Sequence, residues 1–185
     1  MKKYKIGVIV GSLRKESYNL KTAKVLMEMA PESLSFEMIE IADLPMFNED
    51  LEENPPKEWV SFKEQVEAKD GFLFLTPEYN RSVTGVLKNA IDVASRPYGQ
   101  NSWDGKPAGI VSVSIGAISG FGANHHLRQS LVFVNMHTMA QPEAYIGGAG
   151  SLFDEEGKLI NESTKEFLNT WMKAFEQWIH SNVKK

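Results

Sequence analysis

The chain contains no cysteine. Disulfides, thiolate metal centres and cysteine nucleophiles are therefore excluded from its chemistry. Long apolar runs are absent too, and no stretch approaches the ~20 residues that a membrane-spanning helix needs. The apolar segment behind Lys2, Lys3 and Lys5 has only a strand's length and ends at Gly11-Ser12. That does not suit a secretory signal, so a cytoplasmic protein without a membrane partner is expected. A basic excess is also missing. The 24 acidic and 20 basic residues give a formal net charge of −4, with no long basic tract, so nucleic acid is not an expected partner. Two familiar phosphate loops are missing as well. A dinucleotide fingerprint would need a second glycine where Leu13 stands, and Gly105-Lys106 and Gly157-Lys158 are followed by Pro107 and Leu159 rather than by a hydroxyl.

What is present begins at residues 6–20, IGVIVGSLRKESYNL. A short run rich in β-branched residues stops at Gly11, which reads as a buried strand, and a helical pattern follows a polar loop. Free amides and the positive dipole end at a helix start attract an anion. Ser12 and Ser17 can add hydroxyl donors, and Arg14 or Lys15 can supply charge. Such a loop suits a terminal phosphate monoester. The alternative is an ordinary helix start, with Ser17 as N-cap and solvated cations beside it.

The rest of the 185-residue chain is most simply one domain, 1–185, without repeats or low-complexity linkers. Leu20, Ala23, Leu26 and Met27 recur at helical spacing. Residues 34–41 alternate, with Leu34, Phe36, Met38 and Ile41 placed inward. Trp59, Phe62 and Val66 mark a second helix and residues 72–75 a third strand. A third helix follows Gly85, a fourth strand spans 108–115, and a fourth helix runs from about 123 to 134. A fifth strand is expected within 138–146, and Phe167, Trp171, Phe175 and Trp178 face the core from a last helix. Five strands alternating with five helices predict an open parallel sheet covered on both faces. If its order is 2-1-3-4-5, the loops after the first, third and fourth strands meet at one crevice, where ligands of doubly wound sheets bind.

The segments GSLRKESYN at 11–19 and TPEYNRSVTGVLKNAIDVASRP at 76–97 together resemble the NADPH-dependent FMN reductase family, with a further match at 141–145. Those proteins are flavodoxin-like and include quinone, azo-dye and chromate reductases. The resemblance implies a doubly wound five-stranded parallel sheet with FMN as cofactor and NADPH or NADH as cosubstrate. It implies that Ser12, Arg14, Ser17, Asn19 and Leu20 hold the FMN phosphate. Pro77, Glu78, Tyr79, Asn80, Arg81 and Ser82 would run along the isoalloxazine and ribityl chain, with Ser114, Gly116 and the glycines at 120 and 122 bordering the other side. Electrons would pass from the nicotinamide through FMN to a small-molecule acceptor, such as a quinone, azo dye, free flavin or chromate, in a ping-pong cycle.

The residues carry their own logic beside that resemblance. Pro77 stiffens its loop, and Asn80 and Ser82 suit the polar edge of a flat heterocycle. An Asx-type turn with Ser82 or Thr84 capping the next helix accounts for the same residues. Glu78 is expected to be structural, because flavin hydride chemistry belongs to the cofactor, and no catalytic acid or base is assigned. His125 and His126 are adjacent on a helix and point about 100° apart, so they do not chelate one ion. Arg81, Arg96 and Arg128 are the candidate cations for a nicotinamide 2′-phosphate. Phe47, Tyr98, Trp103 and Phe121 are expected to be exposed beside the site, marking a homodimer or homotetramer. The rival readings are a flavodoxin-type electron carrier and a non-catalytic anion-binding module. Arg14 and the modest net charge of −4 speak against the carrier.

Overall fold

Phe72, Leu73, Phe74 and Leu75 are all fully buried, although successive strand residues face opposite sides of a sheet. Their strand must therefore be covered on both faces. A computed structural model, which describes residues 3–183, shows how; Lys2 of the N-terminal lysine group lies outside the described residues. Strand β1 (Tyr4–Val10) leads through the first loop into helix α1 (Tyr18–Glu28), and β2 (Leu34–Met38) follows. Next come α2 (Lys57–Glu67), β3 (Gly71–Thr76), α3 (Gly85–Ser95), β4 (Pro107–Val113) and α4 (Phe121–Phe133). The chain then runs through β5 (His137–Thr138) and β6 (Ala144–Ile146) to α5 (Glu162–Asn182). The strands pair in parallel in the order β2-β1-β3-β4-β5, with β6 also on β4, so the expected 2-1-3-4-5 order is observed.

Two core layers share this sheet. Ile6, Val8, Leu73 and Val111 pack under α1 and α5, against Leu26, Trp171 and Phe175. Ile9, Phe72, Phe74 and Ile110 pack on the other side, against Phe62, Leu87, Ile91 and Leu127 of α2, α3 and α4. Helix α5 lies so close to the sheet that a Cβ added at Gly109 would stand 2.7 Å from both Trp171 and Phe175.

Three expectations need correction. The fifth strand is not continuous. Pro107 and Ala108 pair with β5, and Val111 to Val113 with β6; Met139 N still donates to Ala108 O at 2.8 Å, and residues 140–143 leave the ladder. Pro142 brings no amide donor to that gap. Side chains of α4 satisfy it instead: Arg128 Nη1 donates to Met139 O at 2.8 Å, and Asn124 Nδ2 to Ala144 O at 3.4 Å. Ile41 does not share a face with Leu34, Phe36 and Met38. The strand ends at Met38, and Ile39 and Ile41 enter the layer under α2 and α3. Trp103 is not exposed. It is fully buried, its ring meets Phe62, Phe72 and Phe74, and its Nε1 donates to Ile91 O at 3.1 Å. Phe47 is half-buried in a stack on Trp59, whereas Tyr98 and Phe121 are 93% and 50% exposed.

Candidate functional site

Strand β3 lies between β1 and β4, so the loops leaving their carboxyl ends are neighbours. Hydrogen bonds draw the three together. Thr84 Oγ1 accepts from Leu87 N to cap α3 and donates to Gly11 O at 2.7 Å, tying the 76–84 segment to the first loop. Glu78 Oε2 accepts from Ala123 N at 3.2 Å, tying the same segment to the start of α4. That approach is tight: a Cβ on Gly122 would stand 2.9 Å from Arg81 O and 3.0 Å from Glu78 Oε2.

In the first loop, Ser17 caps α1, with Oγ accepting from Leu20 N at 3.3 Å and its own amide donating to Arg14 O. The cap and the anion reading coexist, because the hydroxyl proton remains free to donate outward. Leu20's amide is spent on that cap, and its side chain packs on the α1–α5 layer. Asn19 is buried; Nδ2 donates to Val113 O at 3.1 Å, and Oδ1 has no partner among the described residues. The backbone amides of Ser12, Leu13, Arg14, Lys15 and Glu16 meet no protein acceptor among the described residues. Arg14 is exposed, its guanidinium 5.7 Å over the Tyr18 ring. A cleft of about 180 Å³ opens between this loop and the end of β2, with Ser12, Arg14, Lys15 and Leu20 in its wall.

In the second loop, Tyr79 and Ser82 exchange both backbone hydrogen bonds at 3.0 Å around a two-residue turn. Asn80 (φ +51°) and Arg81 (φ +66°) are both left-handed, as the tightest hairpin turn requires. For a side chain such as arginine that conformation costs about 1 kcal/mol or more. The turn persists because α4 grips it at both ends: Glu78 meets Ala123, and the Ser82 hydroxyl lies 2.9 Å from His126 Nδ1. Glu78 Oε1 also accepts from Arg81 Nη1 at 3.1 Å.

In the third loop, Ser114 exchanges backbone hydrogen bonds with Ile146 and Ala149, and its hydroxyl accepts from Gly116 N at 3.1 Å. Ser112 Oγ donates to Ser119 O at 2.8 Å, holding the left-handed pair Ser119-Gly120 ahead of α4. Leu13, Tyr79, Ile115, Ile118 and Phe121 form an apolar rim from all three loops, 50–71% exposed. His125 turns away from His126 toward Tyr145, whose hydroxyl lies 3.0 Å from His125 Nε2. Burial and the Glu143 carboxylate push the Tyr145 phenol up to about 12, so it stays neutral at ordinary pH.

Of the three candidate cations, Arg96 is tied to Glu49 and Glu52, and Arg128 fills the gap between β5 and β6. Arg81 alone of these stands at the carboxyl edge, with its side chain 71% exposed. The sequence reading gave no site role to His126, Ala123 or the Thr84–Gly11 tie. Their contacts span 44, 45 and 73 residues of chain, which no local pattern reveals.

Residues 4–151 match the family described as NADPH-dependent FMN reductase. The chain belongs to that family. It is an oxidoreductase that works with FMN and a reduced nicotinamide. It is 59% identical over 180 residues to a quinone reductase of Pseudomonas putida, covering 97% of this chain and 96% of that one. It is 43% identical over 175 residues to a 2-hydroxy-1,4-benzoquinone reductase of a Burkholderia species, covering 95% and 96%. Among solved structures, the flavoenzyme NAD(P)H:(acceptor) oxidoreductase FerB of Paracoccus denitrificans superposes with a TM-score of 0.92 at 42% identity, covering 98% of this chain and all of that one.

The geometry suits the cofactor. A phosphate monoester needs donors, and the 12–16 amides, the Ser12 and Ser17 hydroxyls and Arg14 supply them. Asn19 Oδ1, buried and without a partner among the described residues, is an acceptor of the kind a ribityl hydroxyl suits. The rim offers Tyr79, Ile115 and Phe121 to a flat ring.

Proposed function

We propose that this enzyme passes two electrons from NADPH or NADH, through FMN held at the carboxyl edge of the sheet, to a quinone. The observation that carries this reading is the pair of ties, Thr84 to Gly11 and Glu78 to Ala123, that bring a donor-rich loop and an apolar rim to one crevice. The names of the P. putida and Burkholderia relatives support quinones over azo dyes, free flavin or chromate. In this reading Ser12, Arg14 and Ser17 hold the phosphate, Leu20 serves only through the Ser17 cap, Asn19 Oδ1 accepts from the ribityl chain, and Pro77 to Ser82 lie along the ribityl chain and ring. Ser114 and Gly116 border the far side. Bound FMN supplies the two-electron chemistry, and the chain supplies position, donors and shelter from water. A quinone becomes a hydroquinone by taking two electrons and two protons. The nicotinamide provides a hydride, and water the second proton.

The same reading treats residues 1–185 as one FMN-binding domain working in the cytoplasm, where reduced nicotinamides are kept. It also has the working form a homodimer or homotetramer. The test is anaerobic turnover of FMN-loaded protein with NADPH or NADH and a benzoquinone. One hydroquinone per nicotinamide oxidised is expected. FMN-loaded protein that oxidises neither nicotinamide would leave only an electron carrier, and the enzyme reading would fall.

A further inference from the structure

We propose that His126 is a positioning residue for the flavin: its Nδ1 accepts the hydrogen bond donated by the Ser82 hydroxyl and so presents the Ser82 oxygen to the cofactor as an acceptor. The inference rests on the reading above that the 77–82 loop lies along FMN. Ser82 spends its amide and its carbonyl on Tyr79, so its hydroxyl is the one group it has left for a ligand. That hydroxyl lies 2.9 Å from His126 Nδ1. A neutral imidazole with its proton on Nε2 offers Nδ1 as an acceptor, and a serine hydroxyl that donates there turns its lone pairs the other way.

Both partners are held in place. Ser82 closes a turn whose two central residues are left-handed, and Glu78 anchors that turn to the first helical turn of α4. His126 sits one turn further along the same helix, beside the fully buried Leu127. Its neighbour His125 is engaged by Tyr145 and does not compete for Ser82. FMN presents few donors: the ring N3–H and the ribityl hydroxyls. A serine oxygen fixed as an acceptor matches those and rejects the ring carbonyls. Without His126 the hydroxyl rotates freely, and this selection is lost.

The test is FMN affinity, read by quenching of flavin fluorescence without turnover, together with thermal stability. His126→Ala is expected to weaken FMN binding by about three- to tenfold, the range of one neutral hydrogen bond. His126→Asn, whose side-chain oxygen falls near the place of Nδ1, is expected to stay within about twofold of the wild type. His126→Gln, which reaches toward the Nε2 position, is expected to behave like His126→Ala. The deciding measurement is a double-mutant cycle with Ser82→Ala. If His126 acts through the hydroxyl, His126→Ala changes nothing further once Ser82 is alanine. An undiminished effect in that background, or wild-type affinity in His126→Ala, overturns the inference while leaving the site reading intact. Wild-type protein that binds no FMN would refute the site reading itself, and this inference with it.

Discussion

Arg14 stands at the first loop, exposed and stacked over Tyr18, while the 12–16 amides meet no protein acceptor among the described residues and the Ser17 hydroxyl keeps a proton to donate. A charge-assisted hydrogen bond to phosphate is worth about 1.5–3 kcal/mol, and exposure puts Arg14 at the low end. Arg14→Ala is therefore expected to weaken FMN binding about tenfold and to leave riboflavin binding unchanged, since riboflavin lacks the phosphate. Titration of both ligands checks this, and an equal loss for the two would make Arg14 structural. At this scale the sequence was readable where residues act near one another in the chain. Ser17 as cap and donor, and Thr84 as a cap, come from spacing of three residues. It was unreadable where a side chain's fate depends on a distant partner. Trp103 follows a polar, glycine-flanked stretch and looks exposed, yet Phe62 and Phe72 enclose it. Arg81, Arg96 and Arg128 look alike in the sequence, yet Arg96 and Arg128 are tied down away from the loops while Arg81 pairs with Glu78 at the carboxyl edge.

Helix α4 is the element that assembles the site, and its own pattern barely announces that. Its inward residues Leu127 and Leu131 are ordinary core, while Ala123 and His126 hold the 78–82 turn and Asn124 and Arg128 hold the break between β5 and β6. Glu78 shows the consequence. Glu78→Gln keeps an acceptor for Ala123 N, so stopped-flow reduction of FMN-saturated protein by NADPH is expected to keep its rate. Glu78→Ala leaves that amide unpaired, which costs about 1–3 kcal/mol, and is expected to raise the FMN dissociation constant. A thousandfold slower reduction in Glu78→Gln with affinity intact would show that Glu78 moves a proton instead. The strands were legible as elements because β3 and β4 are apolar on both faces, a pattern that only a doubly covered sheet rewards. The break between β5 and β6 was not, since side chains of α4 replace the missing ladder bonds. The packing of α5 was legible as a stripe but not in depth. Because a Cβ at Gly109 meets Trp171 and Phe175 at 2.7 Å, Gly109→Ala is expected to destabilise by about 1–3 kcal/mol, read as a lower urea midpoint. An unchanged midpoint would mean that α5 shifts away freely.

For the whole molecule, the question is what shelters the apolar rim when a ring lies in it. Half-exposed Leu13, Tyr79, Ile115, Ile118 and Phe121 surround the crevice, and one face of a bound heterocycle would meet water there. The outward side of α4 continues that rim. Phe121, His125 and Val132 follow one another at helical spacing, with Phe133 beside them, and Val132 and Phe133 are 63% and 91% exposed. Thirteen residues of helix carry this stripe about 20 Å from the crevice to the opposite end of the sheet. A second copy seated along the stripe would cover it by two-fold symmetry, bury about 800 Å² on each partner if of standard size, and wall the rim at the same time. Sedimentation at micromolar protein is expected to show two or four times the 20.8 kDa of one chain. Phe133→Glu, far from the loops and outside both core layers, is expected to yield monomers that keep the fold but lose FMN affinity and quinone turnover. A wild-type species sedimenting as one 20.8 kDa chain with full FMN affinity and turnover would refute the shared wall. So would a monomeric Phe133→Glu that keeps both. The rim would then be the acceptor's own landing surface, open to quinone because nothing else covers it.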